Sequence, residues 1–447
     1  MFSKPRKSAI KSLFSIRQYL LGIIILLLAL FDPFGLTSST ETASAQWLNR
    51  IFASHYSSVG QQHIVVVLID DAYLLRNNTY WPMPYSEQSK LFKRLLAYQP
   101  AALFIDLLYS HDHSRGDPRQ GSQLLANVFA RYQHQGIPLF LANTGQARSE
   151  DGQINVLPHF AKVSSPALVT WSGYGDRYPL SSQALEGYLE TPALQLYRRY
   201  CQKHACPELP ASAADSAQLP PMAVQWGLDL APQQAQIADI SHCTTPGTLH
   251  QLAQAIFWKL GSSAWANCPY ALTLSASDLE ASSAEDRALL RQLLKNKLIL
   301  VGARITSAGD LVQSPLHGKI PGIYLHAMAL DNLITQGMDY DRDPSNLLWN
   351  IDWLDLVEIA LLMLIAVLKA LHDRRQQRLQ LLTPWPRWEK VFFASPYPSW
   401  LVVLSLLLLL SLLLYVWDIT PANVLAILLL SLALFSDKIE AFFGRED

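Results

Sequence analysis

Four long apolar runs restrict what this chain can fold into. The first covers residues 18–36, and the others cover residues 353–371, 400–417 and 421–435. A helix crosses the hydrocarbon core of a membrane with about 20 apolar residues. Between the first two runs, apolar and polar residues alternate as in a water-exposed domain. The pattern therefore predicts four transmembrane α-helices and one large folded domain.

The composition is also typical of a membrane protein. Of the 447 residues, 50% are hydrophobic and only 16% are charged. The formal net charge is -1, and the sequence has no interleaved basic and aromatic residues of the kind that bind nucleic acid. We therefore expect the lipid bilayer to be a partner of the chain and nucleic acid not to be one.

Basic residues before the first run predict its orientation. These residues are Lys4, Arg6, Lys7, Lys11 and Arg17. Because positive residues beside a first transmembrane helix stay in the cytoplasm, we expect residues 1–17 inside and residues 37–350 in the periplasm of a bacterial inner membrane. The sequence ASA at Ala43–Ala45 raises the alternative of a cleaved signal peptide. Its gap of about a dozen residues from the apolar core favours an uncleaved anchor.

A second basic segment agrees with this orientation. The loop of residues 372–399 is expected in the cytoplasm because it begins with three arginines, Arg374, Arg375 and Arg378. The tail of residues 436–447 is expected there too. The arginines either set the topology alone or also bind an acidic protein or anionic lipid. Within the second run, Glu358 is a candidate for coupling between helices, with a hydrated interface residue as the alternative.

The region between residues 63 and 337 alternates apolar strands with amphipathic helices. Four segments are apolar enough for strands that are covered on both faces: HIVVVLIDD (63–71), AALFIDLLYS (101–110), GIPLFLAN (136–143) and LILVGAR (298–304). Helices are expected after Ser86, over residues 122–135, and after a capping box of Ser282 and Glu285. The alternation predicts a layered α/β domain with a mostly parallel sheet.

Acidic residues follow three of the predicted strands. Asp70, Asp71 and Asp106 lie at the carboxyl ends of two strands, and Asp310 lies in the loop after a third. Open α/β sheets place ligand crevices at this edge, so the four carboxylates predict a small-molecule or cation site. The alternative is that they cap helices or turns. Because no glycine-rich nucleotide motif, Walker lysine or G-x-S-x-G motif is present, we expect no catalytic activity and no cofactor.

Four cysteines lie in the region that is expected outside the cytoplasm. They are Cys201, Cys206, Cys243 and Cys268. Cysteines in an oxidising compartment form disulfides, and four of them allow three pairings. A metal site is the alternative, because CQKHAC and His242 beside Cys243 offer sulfur and imidazole ligands. Their spacing does not match the common structural zinc patterns, so we expect disulfides and no metal.

Three segments together resemble one known family. They are VVVLIDDAYLLRNNTYWPMP, which contains paired aspartates and a tryptophan–proline turn, GYGDRYPL at residues 173–180, and LILVGARITSAGDLVQSPLHGKIPGIYLHAMALDNLI. They resemble the type 2 CHASE domain, a cyclase- and histidine-kinase-associated sensing extracellular domain of bacteria. One predicted helix before the domain and three after it are similar to that family as well. Tyr85 stands where the family commonly has a basic residue, so the resemblance does not extend to anion binding at this position.

The resemblance implies a sensory function. We expect an inner-membrane, receptor-like protein whose periplasmic domain detects a ligand or an envelope protein and signals through its helices. Family members commonly carry a kinase or cyclase after the last helix. The short tail here cannot fold into one, so we expect a separate protein to carry the output. A homo-oligomer is compatible with this function.

The alternative is a structural or scaffold subunit of a cell-envelope membrane complex. The two functions predict different surfaces on the periplasmic domain. A receptor should have a closed, polar-lined cavity near Asp70 and Asp106, whereas a scaffold should have a filled crevice and an exposed apolar patch.

Overall fold

The computed structural model of the chain describes most of its residues. They are residues 36–112, 120–146, 156–171, 177–185, 187–243, 247, 250–251, 268–307, 309–344, 346–348, 351–381, 397–420, 423–424 and 426–427. The chain divides into two compact units, one of Asn49–Asp343 and one of Met1–Leu48 with Pro344–Asp447. The first unit contains the main sheet, and the second contains long helices.

The described strands and helices of both units are numbered here in chain order. The strands are β1 (Ile64–Asp70), β2 (Ala102–Ile105), β3 (Leu139–Asn143), β4 (Ser165–Leu168), β5 (Ser181–Ala184), β6 (Gly187–Glu190), β7 (Leu272–Ser275), β8 (Leu298–Arg304), β9 (Leu311–Ser314), β10 (Gly318–Pro321), β11 (Asn346–Leu348) and β12 (Ile351–Asp352). The helices are α1 (Leu36–Phe52), α2 (Asp71–Arg76), α3 (Tyr85–Leu96), α4 (Gly121–His134), α5 (Pro158–Ala161), α6 (Pro192–Cys201), α7 (Ala213–Ser216), α8 (Ala284–Leu294), α9 (Ile323–Gln336), α10 (Trp353–Leu381) and α11 (Tyr397–Val416). Short 3₁₀ turns cover Ala53–His55, Gly60–His63, Pro232–Gln236 and Ala276–Glu280.

Six strands form the main sheet in the order β4–β3–β2–β8–β1–β7. Every neighbouring pair is parallel. Strand β8 comes last along the chain but lies in the middle of the sheet, where Val301 pairs with Val67 of β1 and with Ile105 of β2. The predicted α/β domain with a mostly parallel sheet is thus confirmed.

Helices cover both faces of this sheet. Val65 and Val67 of β1 belong to a buried cluster with residues of α3, α4 and α8. The alternate residues Val66 and Leu68 belong to a second buried cluster with residues of α6 and α9. Because successive side chains of a strand point to opposite faces, a strand covered on both sides needs an apolar residue at every position. This explains the unbroken apolar run of β1.

Gly302 of β8 allows helix α9 to pack close to the sheet. A Cβ at this position would lie 2.7 Å from Cβ of Ile323, the first residue of α9. Glycine inside a strand often marks such a close approach. The glycine in LILVGAR therefore serves packing in this structure.

The second unit contains most of α1, the β11–β12 pair, α10 and α11. Asp352 and Asp355 cap the start of α10 reciprocally, since each backbone N–H donates to the carboxylate of the other at 2.9 Å. Apolar side chains including Ile365, Val403 and Leu407 pack between α10 and α11. Within the described ranges, no helix combines the length and apolar character that a membrane crossing needs.

The four predicted crossings therefore stay predictions. The run at residues 353–371 falls within α10, and most of the run at 400–417 falls within α11. All but Leu36 of the first run lies outside the described residues, as does most of the run at 421–435. The tail of residues 436–447 and residues 382–396 of the basic loop lie outside them too.

Candidate functional site

A cavity of about 700 Å³ lies at the carboxyl edge of the main sheet. Its lining comes from the ends of β2, β3, β4 and β8 and from α3 and α9. The lining residues are Trp81, Pro82, Met83, Tyr85, Gln88, Asp106, Leu107, Leu108, Tyr109, Thr144, Val169, Thr170, Trp171, Ala303, Gly309, Asp310, Leu311 and His326. Parallel α/β sheets place ligand sites at this edge.

Asp106 lines the cavity directly after a strand of the main sheet. It follows β2 directly, and its backbone N–H donates to Val301 O at 2.8 Å, which extends the pairing of β2 with β8. Alternation along β2 puts its side chain on the same face as Phe104. Its carboxyl group has no hydrogen-bond partner among the described residues.

The surroundings of Asp106 favour its neutral form. Burial, with a smaller contribution from the nearby charge of Asp310, raises the pKa of Asp106 to about 8. Asp106 keeps part of its surface accessible and lines the cavity. A positive charge that enters the cavity would favour the ionised form of Asp106.

Asp310 lies at the mouth of the cavity, in the loop that follows β8. The β9–β10 hairpin brings it against Gly322, whose backbone N–H donates to Asp310 O at 3.1 Å. A Cβ at Gly322 would lie 2.5 Å from Asp310 Oδ1, so the carboxylate packs directly against this glycine. Gly322 is the N-cap of α9, and the positive end of the helix dipole stabilises a carboxylate at this position.

His326 lies on α9, one turn beyond Gly322, and is 1% exposed. Burial lowers the pKa of His326 to about 3, so the imidazole is neutral at physiological pH. Its Nδ1 lies 2.8 Å from the hydroxyl of Tyr178, and that hydroxyl accepts from the backbone N–H of Ala193 at 3.3 Å. In the tautomer in which Tyr178 donates to Nδ1, the ring proton is on Nε2. Among the described residues, nothing accepts a hydrogen bond from Nε2.

Aromatic rings form much of the cavity wall. They belong to Trp81, Tyr85, Tyr109 and Trp171. The hydroxyl of Tyr85 donates to His111 O, that of Tyr109 donates to Gln88 Oε1 at 2.8 Å, and Trp171 Nε1 donates to Arg177 O at 2.9 Å. Since these polar atoms have protein partners, the walls offer a ligand mainly the surfaces of the rings.

Asp70 and Asp71 lie at the same edge of the sheet but do not line this cavity. Asp70 caps α2, because its Oδ1 accepts from the backbone N–H of Tyr73 at 2.9 Å, and its Oδ2 lies 3.6 Å from Arg304 Nη2. Asp71 Oδ2 accepts from Thr306 Oγ1 at 2.6 Å. Asp70 lines a separate cavity of about 340 Å³. The structure therefore brings Asp106 and Asp310 together and gives Asp70 and Asp71 other partners.

Comparison with known proteins assigns the family. The family model described as CHASE2 domain matches residues 20–368. The chain belongs to the CHASE2 family. No curated protein and no solved structure was similar enough to the chain to count as a match. This match confirms the resemblance to type 2 CHASE domains. CHASE2 domains are sensory domains of the extracellular type.

Both cysteine pairs of the CHASE2 domain form disulfides. Cys201 is joined to Cys206 and Cys243 to Cys268. Near the second bond, His242 Nε2 lies 3.9 Å from Cys268 Sγ, and the three side chains form a compact sulfur and imidazole group. Sulfur atoms in a disulfide are not thiolates, and thiolates are the form in which cysteine binds metal. This group is therefore not a metal site in the oxidised protein.

The proposed coupling residues lie in the second unit. Glu358 Oε1 accepts from the backbone N–H of Asn423 at 2.6 Å, and Asn423 Nδ2 donates to Thr40 Oγ1 at 2.8 Å. Glu358 thus belongs to a polar group that includes residues from α1, from α10 and from the segment after α11. Arg374, Arg375 and Arg378 lie on α10, where the structure describes their backbone alone.

Sequence reasoning placed Asp106 and Asp310 at the carboxyl edge but did not assign His326, Tyr178 or Trp171 to a site. A lone histidine in the apolar segment GIYLHAMAL is typical of a buried helix. Whether its second nitrogen meets protein or a cavity depends on tertiary packing. Tyr178 and His326 do lie in two of the segments that carry the family resemblance, and their mutual hydrogen bond joins those segments.

Proposed function

We propose that this CHASE2 protein is an inner-membrane receptor whose sheet-edge cavity binds a small molecule outside the cytoplasm. The supporting observation is the cavity itself. Its volume of about 700 Å³ is typical of small-molecule sites. Asp106, Asp310 and Nε2 of His326 line it without hydrogen-bond partners among the described residues. Buried polar groups in folded proteins normally have partners, so a ligand is a natural complement for Asp106 and His326, and the exposed Asp310 adds a second carboxylate.

The same cavity supports the receptor interpretation in part, because Asp106 lines it as expected but Asp70 does not, and the cavity is open. A protein-binding platform has no need of an open cavity that contains unpartnered polar groups. A receptor uses such groups to select and orient its ligand. We propose no catalytic step, since binding alone satisfies these groups.

Membrane attachment remains part of the proposal. Its support is the run of apolar residues on α11, where Leu401, Leu409 and Val416 are 54%, 53% and 65% exposed. Apolar surface of this extent is unfavourable in water and favourable in lipid. We place residues 37–350 in the periplasm and the loop of residues 372–399 in the cytoplasm, because basic flanks favour that orientation.

The signal is proposed to reach a separate partner protein. A ligand acts at a distance by favouring one arrangement of the helices over another. Glu358 connects α10 with Asn423 and is a candidate for transmitting that difference. Arg374, Arg375 and Arg378 are candidates for binding an acidic partner in the cytoplasm. A homo-oligomer is compatible with this arrangement.

Blocking the cavity tests the receptor proposal. Leu108 lines the cavity and is 50% exposed, so Leu108→Trp adds bulk there without removing a core side chain. The matched control is Leu75→Trp, since Leu75 is 82% exposed and does not line the cavity. The small-molecule fraction of a bacterial periplasmic extract should raise the melting temperature of the wild type and of the control by a few degrees, but not that of Leu108→Trp. An equal shift in all three proteins, or none in any, would overturn the proposal.

A further inference from the structure

The charges around the cavity differ from those of the protein as a whole. Asp106 and Asp310 contribute two acidic groups, whereas no Lys or Arg is among the described residues that line it. His326, the one histidine in the lining, is kept neutral by burial, which lowers its pKa. The cavity is therefore suited to a positive ligand and unfavourable for a negative one.

The walls favour an organic cation over a metal ion. Aromatic rings attract ammonium groups through their faces, and Trp81 and Trp171, which are partly exposed, supply such rings. A bare divalent ion prefers six or more oxygen ligands, whereas Asp106 and Asp310 offer only two carboxylates. A volume of about 700 Å³ also exceeds what an ion alone would fill.

His326 adds a hydrogen-bond donor to this cavity. Its ring contacts Phe104, with 5.4 Å between centroids, and Phe104 lies two residues before Asp106 on the same face of β2. His326 and Asp106 thus line the same cavity, and a cationic ammonium, which has no acceptor, cannot satisfy an Nε2–H donor. A ligand that satisfies both groups has an ammonium and, a few bonds away, an oxygen acceptor.

We propose that the cavity binds small organic ammonium ions that carry a neighbouring oxygen acceptor, with Asp106 and Asp310 as counter-charges and His326 Nε2 as donor to the oxygen. This inference rests on the proposed receptor function and names its ligand class. The aromatic rings enclose the rest of the ligand.

Binding should release a proton. Because burial raises the pKa of Asp106 to about 8, its carboxyl group is protonated in the empty cavity at pH 7 and must ionise when an ammonium binds. The titratable groups around it are Asp310, His326, Tyr85 and Tyr109. Burial raises the pKa of Asp310 as well, whereas burial raises the pKa of Tyr109 well above its usual value and lowers that of His326 to about 3. Affinity should therefore rise about tenfold per pH unit up to about pH 8 and then level off.

Titration calorimetry on the purified full chain tests the inference with matched probes. Phenylalaninol carries an ammonium, a hydroxyl and an aromatic ring. 3-Phenyl-1-propanol lacks only the ammonium, and 3-phenylpropanoate lacks the ammonium and carries a negative carboxylate in place of the CH2OH group. Phenylalaninol should bind at least about tenfold more tightly than the alcohol, and the carboxylate should bind weakest. Calcium chloride tests the metal alternative and should give no competition.

Substitutions test whether the preference for the ammonium and its pH dependence arise in the cavity. Asp106→Asn should remove most of the preference for phenylalaninol over the alcohol and should abolish the pH dependence and the proton release. The control is Asp339→Asn, because Asp339 is exposed and lies outside the cavity. It should behave as the wild type does.

The possible results separate this inference from the receptor proposal. If the alcohol or the carboxylate binds as tightly as phenylalaninol and Leu108→Trp blocks that binding, the cavity is a ligand site but the ligand class is wrong. If Asp106→Asn keeps the preference for the ammonium, the inference fails as well. If no probe binds and the periplasmic extract gives no stabilisation, the receptor proposal fails too.

Discussion

At the scale of single residues, Gly302 decides how closely α9 can approach the sheet. Replacing it with alanine would place a methyl group 2.7 Å from Cβ of Ile323, where the neighbour is the fixed start of a helix and not the tip of a flexible side chain. We predict that Gly302→Ala lowers the free energy of unfolding by about 1–3 kcal/mol. Urea unfolding of the purified chain measures the change.

The control for this substitution is Gly247→Ala. A Cβ at Gly247 would meet no atom within 4 Å, so the change should stay within about 0.5 kcal/mol. Equal stability of the two variants would show that the packing of Gly302 against α9 does not restrict the side chain there.

Asp331 is a second residue whose burial has a measurable consequence. It is 1% exposed, and its Oδ1 accepts from the hydroxyl of Tyr56 at 2.7 Å. Asn332 donates to the same Tyr56 hydroxyl at 2.7 Å. Burial raises the pKa of Asp331 to about 7, although the hydrogen bond from Tyr56 acts in the opposite direction.

This pKa predicts how stability changes with pH. Between the ordinary value of 3.8 and about 7, the folded protein keeps the proton of Asp331 while the unfolded chain has lost it. The contribution of this proton to stability is therefore complete below about pH 4 and is lost as the pH rises to about 7. We predict that the difference in unfolding free energy between wild type and Asp331→Asn falls by a few kcal/mol over this range.

Urea unfolding of both proteins at several pH values between 4 and 8 measures that difference. Asp106 also lowers stability as the pH rises, but its contribution is the same in both proteins and cancels from the difference. A difference that grows with pH would mean that the ionised carboxylate of Asp331 is the form that stabilises the fold.

At the scale of secondary structure elements, the sequence predicts which segments form strands but not the order of those strands in the sheet. The apolar runs at residues 63–71 and 298–304 correspond to β1 and β8, because continuous apolar character reports burial on both faces. The four-residue strands β4 and β7 are too short to give a periodic signal and were not predicted. Helix ends were close, with α4 at Gly121–His134 against an expected 122–135.

The strand order explains why the candidate site was predicted only in part. Nothing in the local sequence indicates that β8 is inserted between β1 and β2. That insertion separates β1 from β2 by about 10 Å, since neighbouring strands lie about 4.8 Å apart. Asp70 at the end of β1 therefore reaches Arg304, whereas Asp106 after β2 reaches the cavity. Long-range pairing, which a single sequence does not reveal, determines which carboxylates meet.

The two disulfides stabilise segments of different length. Cys201 and Cys206 are separated by 5 positions, and Cys243 and Cys268 by 25. Because a longer closed loop removes more entropy from the unfolded chain, replacing the second pair with serines should cost about 3 kcal/mol and replacing the first about 2 kcal/mol. Thermal unfolding of each double variant tests this order. A larger loss from the first pair would mean that local packing around α6 outweighs chain entropy.

At the scale of the whole molecule, a receptor needs a binding unit and a unit that responds to it. The sheet and its cavity belong to Asn49–Asp343, whereas the polar group of Glu358, Asn423 and Thr40 belongs to the other unit. Chain connections between the units run through α1 and through the segment before α10. The receptor proposal therefore depends on the two units being on the expected sides of the membrane.

Reporter fusions test that topology directly. Two separate basic flanks, one before residue 18 and one in the loop of residues 372–399, favour the same orientation. We predict that reporters fused after residues 45, 380 and 447 read outside, inside and inside. Intact-mass measurement of the purified protein distinguishes an uncleaved anchor from a chain that begins at Gln46. An outside signal at residue 380 would contradict the orientation, because it would put the basic loop on the same side of the membrane as the ligand-binding unit.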